Sequence, residues 1–263
     1  MKSQQIPGYI NLRGHQIWNK EWANNGEAVV LLHGGLSATE DWDTYLLPAV
    51  ESSHHVFGYD RTGQGRTADQ VGSLHFEFQV SEAIAYLEDV VKKPAHLIGW
   101  SDGGNIALMV AMQRPELVRS IIAIGANYHY SNGGDPILEW PISDEDRAEH
   151  ALRSPDAPAA LDDKNRRMRN IWNSEPNLTI DDLAIIQCPT LILAGDDEPF
   201  SLQHTCSMYE AIPQGQLAII PGTSHYVVKE KPELAQAVIK QFLADLSAPL
   251  TRAPVRRKNP EPF

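Results

Sequence analysis

Short, almost unbroken apolar runs alternate with segments of helical periodicity along most of this chain. That alternation restricts the fold more than any other feature. The runs cover residues 28–33, 55–60, 95–100, 120–126, 190–195 and 216–222 and are rich in Val, Ile and Leu. Apolar runs of this length suit parallel strands buried on both faces. Between them, residues 78–91 place Val80, Ile84, Leu87 and Val91 at steps of three and four, and 103–114, 202–211 and 232–246 are also helical in pattern. In the last of these, Leu234, Val238, Phe242 and Leu246 form one stripe, with Pro232 near the first turn. The fold class expected is α/β, a mostly parallel central sheet with helices on both faces. At the front, residues 6–12 and 15–18 read as a hairpin around Arg13-Gly14, an antiparallel edge to that sheet.

The alternation stops at Asn127 and resumes at Pro189. The intervening stretch is polar and interrupted by Pro136, Pro141, Pro155, Pro158 and Pro176. It carries one helical run at 160–172 and a second at 179–186, the latter opened by Thr179 with acids following. Roughly sixty residues without strands is too long for a plain loop. The expected organisation is therefore a core of residues 1–126 and 187–250, a small helical cap inserted at 127–186, and a disordered tail at 251–263. The tail carries Arg252, Arg256, Arg257 and Lys258 and reads as a solvated segment.

With 263 residues, the chain has room for one domain carrying an insertion. Its formal net charge of −12 argues against nucleic acid, whose backbone requires a basic face. The longest apolar runs fall far short of the roughly 20 residues that span a bilayer, so no membrane partner is expected. The first residues lack a secretory pattern. Two cysteines, Cys188 and Cys206, give neither a disulfide framework nor a zinc spacing. They fit buried thiols in a reducing compartment, so a cytoplasmic location without metal or other cofactor is expected.

Chemistry concentrates at Gly99-Trp100-Ser101-Asp102-Gly103, between an apolar run and a helix. A strand-to-helix reversal in so few residues strains its central position, and the flanking glycines leave room for it. A hydroxyl presented there, at a helix N-terminus, is a nucleophile once a base removes its proton. His225 follows the run at 216–220 through the turn 221–224 and so lies at the strand's C-terminal end, beyond the serine. His54, His55 and His96 stand at strand starts, the wrong end of a parallel sheet. The imidazole needs an acceptor, and the segment after residue 195 offers three: Asp196, Asp197 and Glu198. Spacing does not choose among them. An oxyanion would be met by the amide of Asp102 and by Gly35 or Leu36 in the turn His33-Gly34-Gly35-Leu36.

These residues resemble the α/β-hydrolase fold family over about residues 28–246. The order Ser101, acid, His225 is that of the family, and His33-Gly34-Gly35 is similar to its oxyanion motif. The segment from Asp60 through Gly63, Gly65 and Thr67 resembles its Asp-x-x-Gly-x-Gly-x-Ser turn, with Thr67 where Ser is usual. The resemblance implies that the acid is Glu198, with Asp197 as the alternative and Glu where Asp is commoner. It also implies that the insertion is a cap. Ser101 occupies the place where dehalogenases and epoxide hydrolases of this fold carry a carboxylate.

The function expected is hydrolysis of a small carboxylic ester or lactone through an acyl-enzyme on Ser101, with His225 as general base. Aromatics near the site or in the insertion are candidate substrate contacts: Trp100, Tyr128, Trp140 and Phe200. Perhydrolysis, acyl transfer and C–C hydrolysis need the same three residues. A receptor that keeps the triad but signals through its lid is the alternative of a different class. The expected partner is the small-molecule substrate, and a homodimer is the one assembly left open.

Overall fold

A computed structural model describes residues 5–131, 136–137, 139, 141–247 and 251–253. Among the described residues eight strands form a single sheet: β1 (Gln5–Leu12), β2 (His15–Trp22), β3 (Ala28–Leu32), β4 (His55–Tyr59), β5 (Ala95–Trp100), β6 (Val118–Ile124), β7 (Thr190–Asp197) and β8 (Gly215–Ser224). Their spatial order is β1-β2-β4-β3-β5-β6-β7-β8. The β1–β2 and β2–β4 pairs are antiparallel and every later pair is parallel. The central β3 and β5 are buried at every position, as strands covered on both faces must be.

Among the described residues the helices are, in chain order, α1 (Glu40–Tyr45), α2 (Phe76–Tyr86), α3 (Asp102–Gln113), α4 (Asp144–Arg153), α5 (Ala160–Trp172), α6 (Ile180–Ala184), α7 (Leu202–Ala211), α8 (Val227–Glu230) and α9 (Pro232–Ala244). Alternate residues of β3 serve opposite layers. Val30 and Leu32 join Phe76, Val80, Ile106 and Met208 from α2, α3 and α7. Val29 and Leu31 join Trp42, Ile239 and Phe242 from α1 and α9.

Three differences from the sequence expectation have physical causes. β2 extends to Trp22 rather than ending at residue 18. Its polar residues hide the strand pattern, but both acquire partners: Asn19 accepts from the Tyr86 hydroxyl, and the Lys20 ammonium lies 2.9 Å from Asp43. In α9 the buried stripe is Ala235, Ile239 and Phe242, whereas Leu234 is exposed and Leu246 packs from beyond the helix end. Finally, α4 was not expected at all. It buries no residue, so it has no apolar stripe to read. It begins with a capping box in which the Ser143 hydroxyl accepts from the Asp146 amide and the Asp146 carboxylate accepts from the Ser143 amide. The same device, Thr179 with Asp182, opens α6. All three helices α4–α6 lie between β6 and β7. Residues 254–263 of the basic tail fall outside the described residues.

Packing is very tight where α3 meets the sheet. A Cβ at Gly103 would stand 2.0 Å from the Leu32 carbonyl oxygen, and one at Gly99 would stand 2.1 Å from the Gly103 carbonyl oxygen. Both obstacles are backbone and cannot swing aside. Gly103→Ala is therefore expected to cost about 3 kcal/mol or more, read as a lower denaturant midpoint at unchanged slope.

Candidate active site

β5 ends at Trp100 and α3 begins at Asp102, so Ser101 alone makes the reversal. It does so at φ 55° and ψ −123°, a conformation that costs an L-residue about 1–3 kcal/mol. Main-chain bonds hold it there: the Ser101 amide donates to the Ile124 carbonyl at 2.7 Å, and the Ser101 carbonyl accepts from Gly104 at 2.8 Å. The hydroxyl is left facing the C-terminal edge of the sheet.

His225 directly follows β8, and Glu198 directly follows β7. The Ser101 hydroxyl lies 2.9 Å from His225 Nε2, and His225 Nδ1 lies 2.7 Å from Glu198 Oε2. A carboxylate can only accept, so Nδ1 carries the ring proton and Nε2 is left to accept from the serine. Glu198 Oε1 accepts from the Gly195 amide at 3.2 Å, which fixes the carboxylate on its own loop. The three adjacent acids thus separate by contact. Asp196 accepts from the amides of Gly222 and Thr223 at 2.6 and 3.1 Å, Asp197 is exposed, and Glu198 meets the imidazole. Space for the imidazole–carboxylate pair comes from Gly125, at φ 55°, where a Cβ would lie 2.9 Å from His225 Nδ1. The Trp100 indole donates to the His225 carbonyl at 2.8 Å, and Phe200 meets the imidazole edge-on.

Behind the turn after β3 lies a buried polar layer. Asp60 accepts from the amides of Thr39 and Arg66, both at 2.8 Å. Thr67 donates to the Asp60 carbonyl at 2.6 Å and accepts from the Trp18 amide at 3.0 Å. Its hydroxyl is what those bonds require, and the methyl group it adds over Ser leaves them intact. Arg61 reaches the carbonyls of His33 and Gly34, while Glu82 accepts from both the amide and the hydroxyl of Thr62. Burial pushes the Glu82 carboxyl up to about 7 against the bonds from Thr62. Asp102, next to Ser101, is also raised by burial, opposed by Arg61 and by the Trp172 indole. That indole donates to both Asp102 oxygens, at 3.0 and 3.2 Å, and so ties α5 to the start of α3.

Ser101 and His225 open into a cavity of about 390 Å³. Trp100 and Phe200 line it, as do Gly35, Leu36 and Asp102. Tyr128 does not, which corrects the expectation of a substrate contact there: its ring stacks on His204 at 4.1 Å between centroids. Trp140 lies outside the described residues. Sequence reasoning missed most of the outer wall. Glu145, Glu149, His150 and Arg153 come from the unanticipated α4, and Tyr226 and Lys229 from the segment after His225. The only advance signal for the α4 group was the Ser143–Asp146 capping spacing. Both ring nitrogens of His150 are buried without a partner among the described residues. Among the described residues no group of three or more His, Cys, Asp or Glu could hold a metal ion, and no helix is long and apolar enough to cross a membrane.

Residues 29–237 match the model of the alpha/beta hydrolase family, and the chain belongs to that family. It is similar to a non-heme haloperoxidase of Rhodococcus erythropolis, 25% identical over 88% of this chain and 96% of the relative. It is also similar to the serine hydrolase BPHL of Homo sapiens, 24% identical over 82% of this chain and 79% of the relative. The fold matches that of a serine hydrolase involved in carbazole degradation, with a TM-score of 0.75 and 20% identity over 92% of this chain and 99% of that one. Eight strands in a mostly parallel sheet with flanking helices are therefore the family's architecture, and the chain is a member of a hydrolytic family.

The buried Glu82 predicts a signed pH dependence. Its carboxyl holds its proton to about pH 7 when folded but loses it near 4.5 when unfolded. The folded state thus binds more proton in that window, and its stability falls as pH rises from about 4.5 to about 7. Glu82→Gln keeps an oxygen for the Thr62 amide and removes the titration. Its stability relative to wild type is expected to climb across that window by up to about 3 kcal/mol, as followed by urea melts at several pH values.

Proposed function

We propose that this protein is a serine hydrolase acting on a small carboxylic ester or lactone, with Ser101, His225 and Glu198 as its triad. The observation that carries the reading is the continuous hydrogen-bond series from Glu198 through His225 to Ser101, ending in a cavity. Ser101 Oγ attacks the acyl carbon as its proton passes to His225 Nε2. The carbonyl oxygen becomes an oxyanion, met by the amide of Asp102 and by an amide of the Gly35-Leu36 turn. Collapse breaks the acyl–oxygen bond, and the imidazolium returns its proton to the leaving alkoxide. A water then gives a proton to His225 and attacks the acyl-enzyme; collapse breaks the bond between Ser101 Oγ and the acyl carbon, His225 returns the proton to Oγ, and the acid leaves. Glu198 holds the Nδ1–H tautomer throughout and steadies the imidazolium.

The helical insertion acts as a cap over this site. Trp172, Leu161 and Ile142 from that segment supply apolar wall to the cavity, and its volume suits a small substrate.

Wild type is expected to release a burst of p-nitrophenol from p-nitrophenyl acetate equal to the enzyme concentration, and Ser101→Ala none. A panel of short esters and lactones assayed with both proteins reads the preferred class. Slow single-turnover labelling with retained ligand and no steady state would instead favour a receptor.

Glu198→Gln is expected to lower kcat by about a hundredfold or more, and Asp197→Asn to leave it within about twofold. The reverse order would reassign the acid.

A further inference from the structure

Arg61 is a buried guanidinium, 1% exposed, with no ion pair among the described residues. Placing a charge there costs several kcal/mol unless its protons are well bound. Nη1 donates to Gln79 Oε1 at 2.9 Å, while Nη2 donates to the His33 carbonyl at 2.9 Å and the Gly34 carbonyl at 2.7 Å, with Gln64 Oε1 farther off at 3.5 Å, and Nε has no partner among the described residues. The Gly34 carbonyl also accepts from His33 Nδ1 at 2.8 Å, and His33 Nε2 accepts from the Arg61 amide at 3.0 Å. The imidazole is therefore the neutral Nδ1–H tautomer, and burial keeps it so.

A trans peptide points its carbonyl and its N–H in opposite directions. The Gly34 carbonyl is held from behind by Arg61 and His33, so the N–H of the same peptide unit, that of Gly35, is aimed the other way. Gly35 and Ser101 share the cavity wall, and no group among the described residues accepts from the Gly35 amide. The Leu36 amide belongs to the next peptide, whose carbonyl no side chain among the described residues holds. With the Gly35 amide as the donor from that turn, we propose that Arg61, through the Gly34 carbonyl, is the positioning residue that aims it. The proposal rests on the serine-hydrolase reading above. The guanidinium also sits at the carbonyl end of that peptide, where its charge polarises the unit and strengthens the N–H as a donor. Both effects need a planar fork that reaches two carbonyls and Gln79 together; an ammonium does not reproduce it.

A trifluoromethyl ketone probes the donor directly. Ser101 Oγ bonds to the ketone carbon, the carbonyl π pair becomes the oxyanion, and the serine proton moves to His225. The unfluorinated methyl ketone of the same chain fills the cavity without that addition. Arg61→Met and Arg61→Lys are expected to lower kcat on p-nitrophenyl acetate by about ten- to a hundredfold with KM within about twofold. Trifluoromethyl ketone affinity should fall by the same factor while methyl ketone affinity holds within about twofold. Arg61→Lys should be the milder of the two, and it decides the matter if Arg61→Met does not give a cooperative melt. Folded variants that keep the ratio of the two affinities, or lose both together, overturn the positioning role and leave the hydrolase reading standing. A wild type without an acyl-enzyme burst overturns both.

Discussion

Everything at this site depends on a near-contact of backbones. α3 can start one residue after β5 only because Gly99 and Gly103 let helix and strand close to distances that no Cβ would permit. That closeness puts Ser101 in its strained conformation, and the strain exposes the hydroxyl at the sheet edge. Once the turn is set, the parallel order of β5, β6, β7 and β8 delivers the loops after β7 and β8 to the same edge. Glu198 and His225 arrive from different segments because parallel strands all end on that side.

The second requirement is a buried polar layer beneath the turn after β3. Asp60, Arg61, Thr62 and Glu82 are buried with main-chain amides and carbonyls as most of their partners. Apolar packing alone would leave the peptides of a glycine turn free to rotate. Directional bonds to fixed side chains define which way each peptide faces, at the expense of burying ionisable groups. Trp172 adds a link from above by binding Asp102, so the insertion touches the residue adjacent to Ser101.

The alternation of apolar runs with helices reads as this fold because six of the eight strands are nearly continuous apolar segments. Of the other two, β1 is legible from its hairpin turn, but the second half of β2 is not, since Asn19 and Lys20 look like surface residues until Tyr86 and Asp43 are brought to them by distant parts of the chain. Ser101 and His225 stand out in the sequence by lying at strand ends. The acid does not, because Asp196, Asp197 and Glu198 share one loop, and their difference lies only in what each side chain meets. Resemblance to the family points to Glu198 where spacing is silent. Tyr128 shows the converse weakness: an aromatic near an insertion can face a cavity or a neighbouring ring, and here it faces His204.

α4 fails the usual test for a helix, having no face turned to a core. Its termini and charges hold it: the Ser143 box, Arg147 on Asp162 and Arg153 near Glu40. Yet it supplies the outer wall of the cavity. Substitutions on that wall therefore disturb little of what keeps the sheet folded. A wall held by caps and charges rather than by core packing can be rebuilt by substitution along α4 without rebuilding the packed layers that carry the serine turn.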